Sequence, residues 1–165
     1  MFNTASLKPW IQQICPMLAL FFIFSTCTKA PSNEEEVIIT AIDQFFHAMN
    51  VKDTTEARNV LLPEGRFFSV REDGTIRNQP HLAFIEGLAS SRDVYLERMW
   101  EPKILIHERI AMVWAPYDFH RNGTFSHCGI DAFSLLKTTE GWKIAGIVYT
   151  VEPTGCKESP LGPPE

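Results

Sequence analysis

The chain has 165 residues, of which 45% are hydrophobic and 21% charged, a balance typical of one globular domain with its own core. Its formal net charge of −5 argues against a nucleic-acid partner, because neutralising phosphates requires a basic patch and the sequence shows none. The histidines and cysteines lack the spacing of a metal site, so we predict neither a metal nor another cofactor.

Residues 1–27 are predicted to be a signal peptide or a lipoprotein signal. A positive segment with Lys8 precedes an apolar run over 14–24, which is shorter than the roughly 20 residues that a membrane span needs. Cys27 follows small residues, as the lipidated cysteine of a bacterial lipoprotein does. We therefore expect an exported protein, either attached to a membrane through a lipid at Cys27 or free in the periplasm or outside the cell. The alternatives are an uncleaved signal anchor and a short apolar segment with no targeting role.

Residues 28–36 are predicted to be a polar linker, since they carry too little apolar surface to fold. A helix follows over 37–52, where apolar residues recur on one helical face. Asp53 caps a second, short helix. A small hairpin around 72–74 and a third helix starting at Pro80 come next. The apolar residues of the first helical face are Ile38, Ile42, Phe45 and Met49.

The rest of the domain is predicted to form four long antiparallel strands. The first spans 94–106 with a bend at Pro102, and the second spans 110–119. Asn122-Gly123 favours a type I′ hairpin, and a second turn follows at 138–141. Helices gathered before strands indicate an α+β domain over 37–156, with 157–165 as a disordered tail.

This element order, together with the segment SHCGIDAFSLLKTTEGWKIAGIVYT and the following Gly155-Cys156, resembles the nuclear transport factor 2-like superfamily. That superfamily includes SnoaL-like cyclases, ketosteroid isomerases and scytalone dehydratase, and the segment is similar to small exported bacterial members described as lumazine-binding or SnoaL-like. The resemblance implies a cone-shaped domain, in which a curved antiparallel sheet and three N-terminal helices surround a pocket. It also implies a homodimer through the outer sheet face. No catalytic motif carries over residue by residue.

Strand alternation selects the candidate site residues. A two-residue loop at 122–123 places Asp118 opposite His127, and Trp114 opposite Asp131. These four side chains should then share one sheet face with Met112 and Phe133. Gly129 would leave a gap on that face. The same count places Tyr117 and Tyr149 on the opposite face, where a dimer contact could use them.

Asp131 is the main catalytic candidate. A carboxylate in the middle of a strand costs free energy unless it is hydrogen-bonded or reaches water, and an apolar wall raises its pKa, which suits a general base. A structural carboxylate is the alternative. His127 is either the partner of Asp118 in a catalytic pair or part of a plain salt bridge.

The predicted ligand-binding residues lie on the first helix and the sheet. Trp114 and Phe133 could stack on a flat ligand or could form ordinary core, and His47 could overhang the pocket mouth or pair with Asp43 in solvent. Cys128 and Cys156 form a disulfide in an oxidising compartment or remain free thiols. The full set comprises Trp114, Phe133, Asp118, Met112, Phe45, Phe46, Met49 and His47.

Three functional hypotheses remain open. The leading one is an exported domain that binds a small, apolar or flat molecule, without assured catalysis. The alternative is an isomerase, dehydratase or cyclase that uses Asp131 as a general base. The third is a dimeric protein-interaction module with a vestigial pocket.

Overall fold

A computed structural model of the protein describes residues 33–164. The predicted signal and its Cys27, most of the linker and Glu165 lie outside these residues. The helices are α1 (Asn33–Val51), α2 (Thr54–Val60) and α3 (His81–Ser90). The strands are β1 (Leu61–Arg71), β2 (Ile76–Pro80), β3 (Tyr95–Met99), β4 (Lys103–His107), β5 (Ile110–Arg121), β6 (Thr124–Thr138) and β7 (Gly141–Val151).

The helices begin and end where local chemistry requires. Three glutamates occupy the first turn of α1, where the positive end of the helix dipole favours them. Asp53 caps α2 by accepting hydrogen bonds from the backbone nitrogens of Thr55 and Glu56, each at 2.9 Å. The apolar face of α1 is buried and packs against β3 and β7. Burying that face against the sheet forms the core of the domain.

The strands form one curved, open sheet in the order β2-β1-β7-β6-β5-β3, and β4 also pairs with β5. The predicted strand over 94–106 is divided by a bend into β3 and β4, and Glu101 in that bend has a φ of 47°. The sheet is mixed rather than wholly antiparallel, because β1 runs parallel to β7. The helices cover its inner face, as an α+β domain requires.

Two hairpins join β5, β6 and β7, and each contains one extra residue. Asn122 and Gly123 both have positive φ, as the predicted type I′ turn needs. In β6 the extra residue is Ser126, between the pairs His120–Phe125 and Phe119–His127. In β7 it is Ala145, between the pairs Leu135–Ile144 and Ser134–Gly146. Beyond each bulge, the side chains lie on the opposite face from the one that simple alternation across the hairpin would give them.

A disulfide joins Cys128 in β6 to Cys156, with the Cα atoms 5.9 Å apart. Beside it, the backbones of Cys128 and Glu152 exchange two hydrogen bonds of 2.9 and 3.0 Å. Residues 157–164 then contain no helix or strand and lie against the outer face. There the Gly162 carbonyl accepts a hydrogen bond of 3.0 Å from the Arg98 guanidinium.

Candidate functional site

The inner face of the sheet and the helices enclose a pocket of about 180 Å³, called the inner pocket below. Its wall is mostly aromatic and aliphatic, with two carboxyl groups, three tyrosines and one histidine among the polar side chains. Such a mixture, an apolar cavity with a few convergent polar groups, is typical of small-molecule sites. The lining residues are Phe45, Met49, Phe67, Phe84, Tyr95, Glu97, Tyr117, Phe119, His127, Asp131, Ile147 and Tyr149.

The carboxyl groups of Glu97 and Asp131 face each other inside this pocket. Asp131 lies in the middle of β6 and is only 1% exposed. Glu97 comes from β3, and the curvature of the sheet brings its side chain within hydrogen-bonding reach of Asp131. No donor among residues 33–164 reaches Oδ2 of Asp131. Two carboxyl oxygens cannot bond to each other without a proton between them, so a hydrogen bond within this pair requires one of the two groups to be protonated.

Burial makes both carboxyl groups weak acids. It raises the pKa of Glu97 to about 7, although the hydrogen bond to Asp131 works in the opposite direction. Burial also raises the pKa of Asp131 well above its usual range, and the charge and hydrogen bond of Glu97 raise it further. Near neutral pH the pair therefore holds at least one proton that it can donate, and it can accept another.

Two tyrosines stand beside the carboxyl pair. The hydroxyl of Tyr117 donates to the Thr150 carbonyl at 2.6 Å, which ties this ring to the sheet. Burial raises the pKa of Tyr117, and the charges of Asp131 and Glu97 add to that effect. Burial also raises the pKa of Tyr149, whereas a hydrogen bond with Ser69 lowers it. Both phenols therefore remain neutral, but the single O–H of Tyr117 is already donated to Thr150, so Tyr149 is the one of the two that can donate to a ligand.

Gly129 lies between His127 and Asp131 on the same face of β6, but it leaves no space for a ligand. A Cβ atom built on Gly129 would be 2.3 Å from the Thr150 carbonyl oxygen and 2.9 Å from Cε1 of Tyr117. The expected gap is therefore filled by protein atoms. Glycine is needed here so that the ring of Tyr117 and the backbone of β7 can approach β6 closely.

His127 lies at the rim of the inner pocket. Its ring stacks on Phe119, with centroids 4.9 Å apart, and its Nδ1 is 3.0 Å from the Ser126 hydroxyl. Burial and the positive charge of Arg71 lower the pKa of His127, which favours the neutral imidazole. A wider space of about 740 Å³, called the outer cavity below, begins at this rim. It shares Phe67, His127 and Tyr149 with the inner pocket.

The predicted pairing across the first hairpin is wrong by one residue. Phe119, not Asp118, lies opposite His127, and Ala115, not Trp114, lies opposite Asp131. The cause is the extra residue in β6, which inverts the alternation that a simple count assumes. Met112 and Trp114 are consequently on the outer face, 55% and 54% exposed, and do not line the pocket.

Asp118 is also on the outer face, away from the inner pocket. It forms a two-pronged ion pair with Arg98, at 2.9 and 2.5 Å, next to the residues that follow Cys156. His120 lies beside it, with Nδ1 3.7 Å from Oδ1 of Asp118. The expected pair between Asp118 and His127 is therefore wrong, because the two side chains are on opposite faces of the sheet.

The ligand-binding residues predicted on α1 separate into those that line the inner pocket and those that do not. Phe45 and Met49 line the inner pocket. Phe46 packs on Phe133 in the core, with ring centroids 6.0 Å apart, and neither residue lines the pocket. His47 is largely exposed, and its Nδ1 lies 2.6 Å from Oε2 of Glu56, so it does not overhang the pocket.

Counting along the strands misses four polar residues of the inner pocket, Tyr95, Glu97, Tyr117 and Tyr149. The same bulges bring Tyr117 and Tyr149 inside, and Tyr149 rather than Val148 or Thr150 lies opposite Asp131. This excludes the expected dimer contact of these two tyrosines. Glu97 lies on the strand whose partner the sequence did not specify. The one sequence signal for Glu97 is an acidic residue in the first part of the strand predicted over 94–106.

Residues 33–164 contain neither a metal-binding cluster nor a membrane-spanning helix. No group of three or more histidine, cysteine, aspartate or glutamate side chains there is arranged to hold a metal ion. None of the helices in this part of the chain is long and apolar enough to cross a membrane.

No protein-family model matches the sequence, and no curated protein matches it. Solved structures, in contrast, are similar to this chain in fold. A protein from Cytophaga hutchinsonii described as nuclear transport factor 2-like has a TM-score of 0.62 and 13% identity, covering 73% of this chain and 99% of that chain. A superfamily member from Salmonella enterica has a TM-score of 0.57 and 16% identity, covering 73% and 92%.

A third similar structure is a proposed dehydratase of the same family from Streptomyces avermitilis, with a TM-score of 0.55 and 14% identity over 70% of this chain and 94% of that chain. Identities this low establish the fold and no activity. The curved open sheet, the helices on its inner face and these neighbours together assign the fold: it is that of the nuclear transport factor 2-like superfamily.

Proposed function

We propose that this protein is a small-molecule-binding domain whose inner pocket takes a compact, largely apolar molecule with one carbonyl or hydroxyl group. The observation that carries the proposal is the Glu97–Asp131 carboxyl pair, enclosed by aromatic side chains in a cavity of about 180 Å³. A protonated carboxyl group can donate to a ligand oxygen, and the apolar wall supplies the contact area.

The cavity size limits the ligand. The space is small compared with the roughly 300–1,000 Å³ of typical drug-sized sites, so only a small ring compound fits entirely inside. Flat aromatic side chains dominate the wall, with Phe45, Phe67 and Phe84 forming one cluster of rings. These features support a flat or alicyclic ligand, such as a cyclic ketone.

Proton transfer is the second candidate function, and the raised pKa of Glu97 supports it. A carboxyl group with a pKa of about 7 is half ionised near neutral pH, which suits a general acid or base. Asp131 or Glu97 would remove an acidic proton next to a bound carbonyl, and the other carboxyl group or a tyrosine would donate to the carbonyl oxygen. That chemistry is shared by isomerases, dehydratases and cyclases.

One probe tests both functions. 2-Tetralone is a flat cyclic ketone with exchangeable protons beside its carbonyl. NMR titration measures its binding, and deuterium incorporation in D₂O measures proton removal above the background rate. We expect saturable binding to the wild-type protein, with shifts confined to the inner pocket. Absence of pocket shifts would contradict the binding proposal.

Asp131→Asn separates binding from chemistry. This variant keeps the shape of the side chain and should still bind 2-tetralone, while any catalysed exchange should fall by about 10²-fold or more. Asp43→Asn is the control, because Asp43 is on α1 and does not line the inner pocket. Catalysed exchange that is unchanged in Asp131→Asn would exclude Asp131 as the base and leave Glu97 in that role, whereas exchange at the background rate in the wild-type protein would leave the protein a binder.

Export and assembly are further proposals of the same kind. The signal-like residues 1–27 support export, with Cys27 as a lipid attachment point, and the disulfide is consistent with an oxidising compartment. A row of apolar residues on the outer face supports a homodimer through that face. The row runs across four strands and consists of Trp114, Ala132, Val148 and Phe68.

A further inference from the structure

We propose that Arg71 and Arg77 bind the anionic group of an amphipathic ligand, such as an arylalkyl carboxylate, whose neutral end occupies the inner pocket. This inference rests on the proposed binding function and names its ligand class. Both arginines line the outer cavity, which opens directly from the inner pocket across Phe67, His127 and Tyr149. One molecule of sufficient length can therefore contact both spaces.

Strand register places the two arginines on the pocket side of the sheet. Phe67 and Ser69 are buried on the inner face of β1, and Arg71 continues that row at the end of the strand. Arg77 pairs with Ser69 across β1 and β2 and therefore shares its face. The charge of Arg71 also lowers the pKa values of His127 and Tyr149, which places the guanidinium near both rim residues.

The two guanidinium groups are available to a ligand. Among residues 33–164, the side chains of Arg71 and Arg77 form no hydrogen bond or ion pair, unlike those of Arg98 and Arg121 with their aspartates. An exposed arginine in a cavity wall keeps all five of its donors for an incoming carboxylate, which it can bind through two parallel hydrogen bonds.

Two acidic residues also line the outer cavity, and both already have partners. The Asp73 carboxylate accepts a hydrogen bond of 2.9 Å from the backbone nitrogen of Thr75, which stabilises the β1–β2 turn. It is near enough to Arg71 for the positive charge to lower its pKa. The Glu72 carboxylate is 3.4 Å from the Thr154 hydroxyl. The lining thus has no excess of negative charge that would repel an anion.

The charges of the two spaces fix the orientation of the ligand. The inner pocket contains two carboxyl groups whose raised pKa values already reflect the cost of negative charge there, so a third carboxylate would be excluded. The outer cavity presents two guanidinium groups without ion-pair partners among residues 33–164, beside two carboxylates that already accept hydrogen bonds. A molecule with one apolar neutral end and one anionic end is therefore complementary to the two spaces. Its neutral end lies in the inner pocket and its anionic end in the outer cavity.

The register also sets the length of the ligand. Asp131 pairs with Tyr149, and Tyr149 pairs with Ser69, so these three residues form one row across β6, β7 and β1. Arg71 lies two residues beyond that row. With strands about 4.8 Å apart and a rise of about 3.3 Å per residue, the backbone of Arg71 is roughly 12 Å from that of Asp131. A phenyl ring on a chain of four methylene groups spans this distance.

The test compares 5-phenylpentanoate with 5-phenylpentanamide, two probes of the same shape that differ in charge. Dissociation constants measured by NMR titration at pH 7 should favour the acid by about tenfold in the wild-type protein, as expected for a charge-assisted hydrogen bond. Added salt should weaken binding of the acid and leave binding of the amide unchanged.

Three variants make the test specific. Arg71→Gln should abolish the preference for the acid while leaving the dissociation constant of the amide unchanged, and Arg77→Gln should reduce it. Arg66→Gln is the matched control, because Arg66 is on the same strand, lies on the outer face and donates to the Asn78 side chain at 2.5 Å. It should keep the full preference.

Equal binding of acid and amide, or an acid preference that survives Arg71→Gln, would overturn the inference. Binding of 2-tetralone would in that case leave the proposed function intact. An acid preference that persists after Phe84→Trp has filled the inner pocket would show that the arginines hold an ion alone, which also contradicts the inference. Failure of both probes and of 2-tetralone would overturn both proposals.

Discussion

Glu97 and Asp131 show how one pair of residues can give a pocket its chemistry. Asp131 alone would be a buried carboxylate with no donor to one of its oxygens, which is costly. Together they can share a proton, and the protonated form is the one that burial favours. The folded protein therefore binds protons more tightly than the unfolded chain does at these two positions. This difference predicts a particular dependence of stability on pH.

Glu97→Gln should remove part of that dependence. A folded-state pKa of about 7, against 4.5 for the free side chain, means that the wild-type protein loses stability as the pH rises from about 4.5 to 7. Urea unfolding at pH 5 and pH 8 should show that the variant gains roughly 1–3 kcal/mol relative to wild type over this interval. Glu101→Gln, an exposed control, should follow the wild-type curve. Parallel curves for Glu97→Gln and wild type would contradict the shared proton.

At the scale of elements, the bulges in β6 and β7 decide which side chains meet. The predictable part of the fold came from periodic patterns: the apolar face of α1, the cap at Asp53 and the Asn122-Gly123 turn all leave strong local signals. A bulge leaves none, because one extra residue in a long strand does not change its composition. Asp131 was found because a mid-strand carboxylate is unusual, whereas Tyr117 and Tyr149 were assigned to the wrong face.

β6 and β7 approach each other so closely at Gly129 that no side chain fits there. Gly129→Ala should lower the free energy of unfolding by about 1–3 kcal/mol, because its Cβ would overlap the Thr150 carbonyl and displace the backbone of β7. Gly87→Ala, in α3, is the matched control: its Cβ would meet nothing within 4 Å, and alanine favours a helix by about 1 kcal/mol. Urea denaturation measures both. Equal effects would mean that the contact with Thr150 relaxes at no cost.

At the scale of the whole molecule, the two faces of the sheet have different roles. The inner face carries the pocket, and the outer face exposes large apolar side chains, including Leu105 at 71% and Trp114 at 54%. Exposed apolar residues that are contiguous across several strands are typical of a protein–protein interface. The general fold was accessible from the sequence, whereas the assignment of residues to these two faces required the register of each strand pair.

The outer face provides a direct test of assembly. If a homodimer forms through it, Trp114→Glu should convert the protein to monomers in sedimentation equilibrium, since burying an unpaired carboxylate at an interface is strongly unfavourable. Leu82→Glu is a suitable control, because Leu82 is similarly exposed but lies on α3, on the opposite layer. A wild-type protein that sediments as a monomer at all accessible concentrations would contradict the dimer.

The bond between Cys128 and Cys156 has a practical consequence for anyone who shortens or tags the chain. Ending the polypeptide at Val151 would discard the second sulfur and also the Gly162 carbonyl that Arg98 contacts. The leftover thiol on β6 would sit three positions from Asp131, open to oxidation or to cross-linking with a second molecule. Fusions are better attached after Glu165, and purification without reductant preserves the bond.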